Sequence, residues 1–212
     1  MASISDLKGK ANVSTFASTL GKSTIAKDSP EYQLIEQAVE VLIDNGYGIL
    51  HGGYAGGAMS AASDTANRLI QEKGLPKEIN IGVPQKEHDG LWERVTDSSF
   101  TEAAEDIFVR LKVVTSGDIV VICPLGGDGT ELEETIVFHE NVIRNSMGEQ
   151  AKPLIFLQTP EGTDWRKLIE TKLALLDTSV KTVSEYSWLY FVDSIEAFGS
   201  LVTELKGSAT SS

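Results

Sequence analysis

Cysteine is nearly missing from this chain: Cys123 stands alone among 212 residues, which excludes an intramolecular disulfide framework. Its place inside an apolar run marks the thiol as core and not as a nucleophile. Histidine is scarce too, and His51, His88 and His139 form no zinc-type spacing with Cys123. No zinc site is expected from these residues, and no metal or other cofactor is expected. Basic residues are outnumbered, with 18 Lys and Arg against 31 Asp and Glu, and a formal charge of −13 argues against nucleic acid or an anionic membrane as partner. No apolar run is long enough to span a bilayer, and Met1 to Ala11 lacks the apolar stretch of a secretory signal. The expected location is the cytoplasm. Two nucleotide-binding signatures are also missing: neither the Gly-Lys-Ser/Thr ending of a P-loop nor a clean G-x-G-x-x-G is present.

What is present suits one α/β domain. Hydrophobic residues make up 41% of the chain, enough for a core that buries roughly 70% of the unfolded-chain surface. Apolar runs of strand length alternate with stretches of helical periodicity. Strands are expected at Val13 to Ala17, Tyr47 to Leu50, Ile79 to Val83, Asp118 to Cys123, Leu154 to Leu157 and Leu189 to Val192. Helices are expected from Leu34 to Ile43, Ala58 to Lys73, Glu102 to Ser116, Glu131 to Arg144, Trp165 to Leu176 and Ile195 to Lys206. The alternation predicts a Rossmann-like, doubly wound, mainly parallel sheet with helices on both faces, over residues 13–206. Residues 1–12 read as an N-terminal extension and 207–212 as a Ser-rich tail. The polar stretch from Pro84 to Thr101 is long enough for a lid or substrate loop.

Two glycine-rich loops carry the chemistry, and each follows a strand and opens a helix. The first is His51-Gly52-Gly53-Tyr54-Ala55-Gly56-Gly57-Ala58-Met59 and the second is Leu125-Gly126-Gly127-Asp128-Gly129-Thr130. Glycine permits positive φ and close approach to the backbone, while the free N–H groups of a new helix attract an anion. Thr130 is placed to cap its helix or donate to a phosphate oxygen, and Glu133 sets a carboxylate less than one turn further on. Taken separately, either loop serves tight packing equally well, and Thr130 with Glu133 also spells a capping box. In a parallel sheet, however, both junctions lie at the carboxyl edge, where two loops can hold different parts of one ligand.

These two segments resemble the GGGxxGxM and PGGxGTxxE signatures of the LOG proteins, the cytokinin riboside 5′-monophosphate phosphoribohydrolases once described as lysine decarboxylase-like. The resemblance runs from about Val13 to about Lys206 in order. It implies a divergent member: Leu125 replaces the motif proline, Tyr54 its third glycine, Leu111 the lysine after the arginine, and Asp128 adds a carboxylate to the cradle. It further implies Arg110 and Glu133 as catalytic residues. Phosphate and substrate contacts fall to Gly52, Gly53, Gly56, Gly57, Met59, Gly126, Gly127, Gly129 and Thr130. The implied reaction cleaves the N-glycosidic bond of a nucleoside 5′-monophosphate, giving free adenine- or cytokinin-type base and ribose 5-phosphate. An oxocarbenium-like ribose needs a nearby carboxylate, a role suited to Glu133. Arg110 would orient Glu133 or hold substrate oxygens. Homodimers are implied as well, with the apolar face of Ile107, Phe108, Leu111 and Val114 facing the sheet or a partner.

Other assignments compete with these. Without the resemblance, Arg110 reads as an i−4 surface pair of Asp106. His51 reads as a packing or hydrogen-bonding residue, and Asp97 and Glu102 as solvated loop carboxylates within reach of a ribose hydroxyl. The competing function is a non-catalytic nucleotide or molybdenum-cofactor carrier of the same fold.

Overall fold

The run Ile119–Ile122 is apolar, mostly β-branched and buried along its whole length, so it needs cover on both faces. A parallel sheet between two layers of helices supplies that cover. The structure, a computed structural model, describes residues 8–9, 13–96, 98–101, 103–176 and 182–209. Among these the strands are β1 Thr15–Leu20, β2 Tyr47–His51, β3 Asn80–Gly82, β4 Ser99–Phe100, β5 Ile119–Ile122, β6 Leu154–Leu157 and β7 Leu189–Val192. They form one sheet in the order β4-β3-β2-β1-β5-β6-β7, and every pairing is parallel.

The helices are α1 Pro30–Asp44, α2 Gly57–Lys73, α3 Ile107–Val114, α4 Asp128–Ser146, α5 Trp165–Leu176 and α6 Ile195–Ala209. Helix α1 packs against both α2 and α6. Right-handed crossovers leave α3, α4 and α5 for the opposite face, so the sheet is doubly wound. Local chemistry sets the ends of several helices. Ser29 accepts a hydrogen bond from the Tyr32 N–H ahead of Pro30, and Gly74 closes α2 in the left-handed region.

Three elements differ from their sequence expectations. The central strand β1 runs on to Leu20, because the polar Ser18 and Thr19 are satisfied inside the sheet. Ser18 Oγ accepts from the Gly117 N–H, and Thr19 Oγ1 donates to the Leu50 carbonyl. The connection after β3 contains the two-residue strand β4, and its beginning is tied to Ala104 near its end. Lys86 N–H donates to the Ala104 carbonyl, and Ala104 N–H to that of Pro84. Holding Ala104 in a β-bridge shortens the next helix: α3 begins at Ile107, where Asp106 caps the Val109 N–H at 2.9 Å. Asp97 and Glu102 lie outside the described residues. Lastly, α4 starts at Asp128 with Gly127 as its N-cap, so Thr130 sits inside the first turn and no capping box forms with Glu133.

Candidate functional site

Strand β1 leads to β2 on one side of the sheet and β5 leads to β6 on the other. Their carboxyl ends therefore diverge at the topological switch point, which opens a crevice. It encloses about 950 Å³. Its floor is the β1 loop from Thr19 to Thr24. One wall is the second glycine loop with the start of α4; the other is the first glycine loop with Arg110 and the segment from His88 to Glu93.

Arg110 and Glu133 meet in this crevice. The guanidinium Nη1 lies 3.3 Å from Glu133 Oε1, with both side chains about nine-tenths buried. Arg110 is also held from below, its Nε donating to the Val83 carbonyl at 3.1 Å and its Nη2 reaching the Gly52 carbonyl at 3.5 Å. A Cβ on Gly52 would lie 2.5 Å from Arg110 Nη2 and 2.6 Å from Met59 Sδ. Glycine at 52 is thus what lets the guanidinium lie across the loop. Burial raises the Glu133 pKa above the ordinary carboxylate value, opposed by the charge and hydrogen bond of Arg110. Asp106 is occupied as a helix cap, so the surface-pair reading of Arg110 is not what the fold builds.

The glycines divide by role. Gly126, Gly127 and Gly129 line the crevice with Thr130, and no side chain caps the N-terminus of α4 there. The exposed Lys22 lines the same corner and has no acidic partner among the described residues. Gly52 and Met59 line the crevice too, whereas Gly53, Gly56 and Gly57 do not. All three of the latter have positive φ and face backbone: Gly53 meets Val83 and Gly82, and Gly56 and Gly57 meet Ser23 and Lys22. Ala58 N–H, in the first turn of α2, is spent on the Lys22 carbonyl. The first loop therefore mainly builds the crevice, and the N-terminus of α4 is its anion-attracting end. Asp128 at that terminus is exposed and adds negative charge beside it.

Buried groups support these loops. His51 is fully enclosed: Nδ1 accepts from the Gly53 N–H at 3.1 Å, which leaves Nε2–H to donate to Asn80 Oδ1 at 3.0 Å. Burial pushes its pKa down to about 4, aided by the Arg110 charge and opposed by the Asn80 hydrogen bond. His51 is a neutral brace. Cys123 is equally inert, a buried thiol pushed up to about 12 and covered by Gly21. Trp165 packs against Gly126, where a Cβ would lie 2.4 Å from its ring, and donates from Nε1 to the Cys123 carbonyl.

Sequence reasoning left several lining residues without a site role, including Lys22, His88, Trp92 and Ile107. Lys22 follows the first strand, and that position was the available signal. Trp92 sits in an irregular segment that has no periodicity to read.

No protein-family model and no curated protein matches the sequence, so the LOG resemblance rests on its two motifs. Solved structures do match. The molybdenum cofactor binding protein from the phototrophic bacterium Rippkaea orientalis superposes with a TM-score of 0.60 at 20% identity, over 90% of this chain and 96% of its own. The molybdenum cofactor carrier protein of Chlamydomonas reinhardtii gives 0.59 at 17% identity, over 90% and 97%. A second structure of that carrier gives 0.59 at 16%, over 92% and 98%. At such identities the likeness is one of fold, and the chain shares the architecture of molybdenum cofactor binding and carrier proteins.

Proposed function

We propose that this protein binds and carries a phosphorylated, ring-bearing cofactor or nucleotide, of the class to which the molybdenum cofactor belongs. The observation that carries this reading is the uncapped N-terminus of α4, opening beside Lys22 into a crevice at the switch point. Helix N–H groups, the Thr130 hydroxyl and the Lys22 ammonium are suited to a phosphate. The donor set does not suit a bare metal: no group of three or more His, Cys, Asp or Glu is placed to hold one among the described residues. Cys123 is buried and does not line the crevice. A molybdenum cofactor would thus be gripped by its organic phosphate, with the metal as cargo. The likeness to carrier proteins supports the same reading.

One observation favours a second reading, hydrolysis of a nucleoside 5′-monophosphate: the buried Arg110–Glu133 pair that lines the same crevice. A carboxylate there would stabilise a ribosyl cation at C1′ and activate the attacking water. One experiment separates the two. Purified protein is offered a panel of nucleoside 5′-monophosphates, with binding measured by calorimetry and free base by chromatography. Tight binding without release of base is expected for the carrier. Release of base that falls roughly a hundredfold in Glu133→Gln, with affinity little changed, would establish the hydrolase instead. Absence of any phosphorylated ligand would remove both.

A further inference from the structure

Trp92 is 56% exposed, whereas Trp165 and Trp188 are 1% and 4% exposed. Its exposure is built in by the fold, because the segment that carries it is zipped onto the first glycine loop. Tyr54 and Arg94 form an antiparallel bridge, Ala55 N–H donates to the Glu93 carbonyl, and Val95 N–H donates to that of Gly53. Tyr54, which stands where the LOG motif has glycine, is buried beneath this segment. Its hydroxyl accepts from the Gln85 N–H at 2.7 Å and donates to the Gln85 carbonyl at 3.1 Å. The Tyr54 ring then supports its two neighbours edge-on, with centroids 5.8 Å from His88 and 5.3 Å from Trp92. His88 and Trp92 lean on each other at 4.0 Å. All three rings line the crevice that also receives the N-terminus of α4.

A phosphate, or a ribose phosphate, fills only part of about 950 Å³, a volume in the range that accepts a larger ligand. Aromatic faces take fused heterocycles by stacking, whatever the pattern of ring substituents. We infer that Trp92, braced by His88 and Tyr54, is the stacking platform for the planar heterocycle of a phosphorylated ligand. The phosphate would be held across the crevice at Gly127 to Thr130. This inference rests on the proposed phosphate-anchored site and adds its ring-binding end.

Calorimetry with three probes tests it: ribose 5-phosphate, guanosine 5′-monophosphate and a monophosphorylated pterin. Trp92→Ala is expected to weaken at least one ring-bearing probe by tenfold or more relative to ribose 5-phosphate, roughly the contribution of one base stack. Trp92→Phe, which keeps a face, is expected to restore most of that loss. Equal weakening of ringed and ringless probes, unchanged affinity for both ringed probes, or a Phe variant as weak as Ala overturns the platform while leaving the phosphate site standing. Failure of the wild-type protein to bind any of the three overturns the site and the platform together. A smaller assembly in Trp92→Ala by light scattering would assign the exposed ring to a partner subunit and also overturn the inference.

Discussion

At the scale of single residues, the Arg110–Glu133 pair and His51 give the sharpest tests. Arg110→Ala would leave the Glu133 carboxylate buried without its cation, and loss of one partner from a buried pair costs about 3 kcal/mol. Glu133→Gln also removes one charge of the pair, but it keeps an amide oxygen for a guanidinium that the Val83 and Gly52 carbonyls hold as well, so it should cost less, about 1 kcal/mol. Denaturant midpoints of the two variants check this ordering, and equal losses would contradict it. His51 has a folded-state pKa depressed from 6.5 to about 4, so its contribution to stability is complete above pH 6.5 and is lost as pH falls toward 4. The loss amounts to about 3 kcal/mol over that interval. His51→Gln should flatten this part of the profile, and parallel curves for the two proteins would show that another group is responsible.

At the scale of elements, the glycine loops show how a shared motif divides its labour. Gly57 has φ of +47°, and an added Cβ would lie 2.2 Å from the Lys22 carbonyl oxygen, a backbone atom that cannot step aside. Gly57→Ala is therefore expected to cost about 2 kcal/mol or more. Gly129 has ordinary φ and open space around a Cβ, so Gly129→Ala should add about 0.5 kcal/mol through helix propensity. Thermal melts of the pair test the division, and a destabilised Gly129→Ala would mean that the second loop is packed as tightly as the first. The same scale explains the errors in element boundaries. Helix α3 is short because Ala104 bridges to Gln85, and α4 is long because Gly127 takes the cap position. Periodicity within either segment carries neither fact.

At the scale of the whole molecule, the expected assembly is a homodimer. Phe108 on α3 and Met147 at the end of α4 are 77% and 68% exposed, with Leu132 and Ile143 exposed along the same helix. Leu132, Ile143 and Met147 are spaced by close to whole helical turns, so they lie on one side of α4. Light scattering at micromolar concentration should return twice the chain mass, and a mass of 22.9 kDa would remove the expectation. No helix among the described residues is long and apolar enough to cross a membrane. The net charge of −13 also confines any hold on an anion to local groups, here Lys22, Arg110 and helix N–H groups. Lys22→Ala is accordingly expected to weaken ribose 5-phosphate binding several-fold, and to make what remains less sensitive to salt. An unchanged affinity would place the phosphate elsewhere in the crevice.

The sequence by itself determined the layered α/β architecture, because short buried runs alternate with amphipathic stretches and only a sheet covered on both faces satisfies both. It also located both glycine loops and the Glu133 carboxylate beside the second, since motif spacing is a local property of the chain, whereas Arg110 was named only through the resemblance to the LOG motifs. Tertiary structure decided what those residues do together. The order of strands placed the β1 and β5 loops at one switch point, and the ion pair formed across 23 residues of sequence. Gly53, Gly56 and Gly57 became packing points because Val83, Lys22 and Ser23 come to rest against them. Trp92 gained a place in the crevice through a β-bridge between Tyr54 and Arg94. Contacts of that kind depend on how distant segments meet, and no pattern within a single segment encodes them.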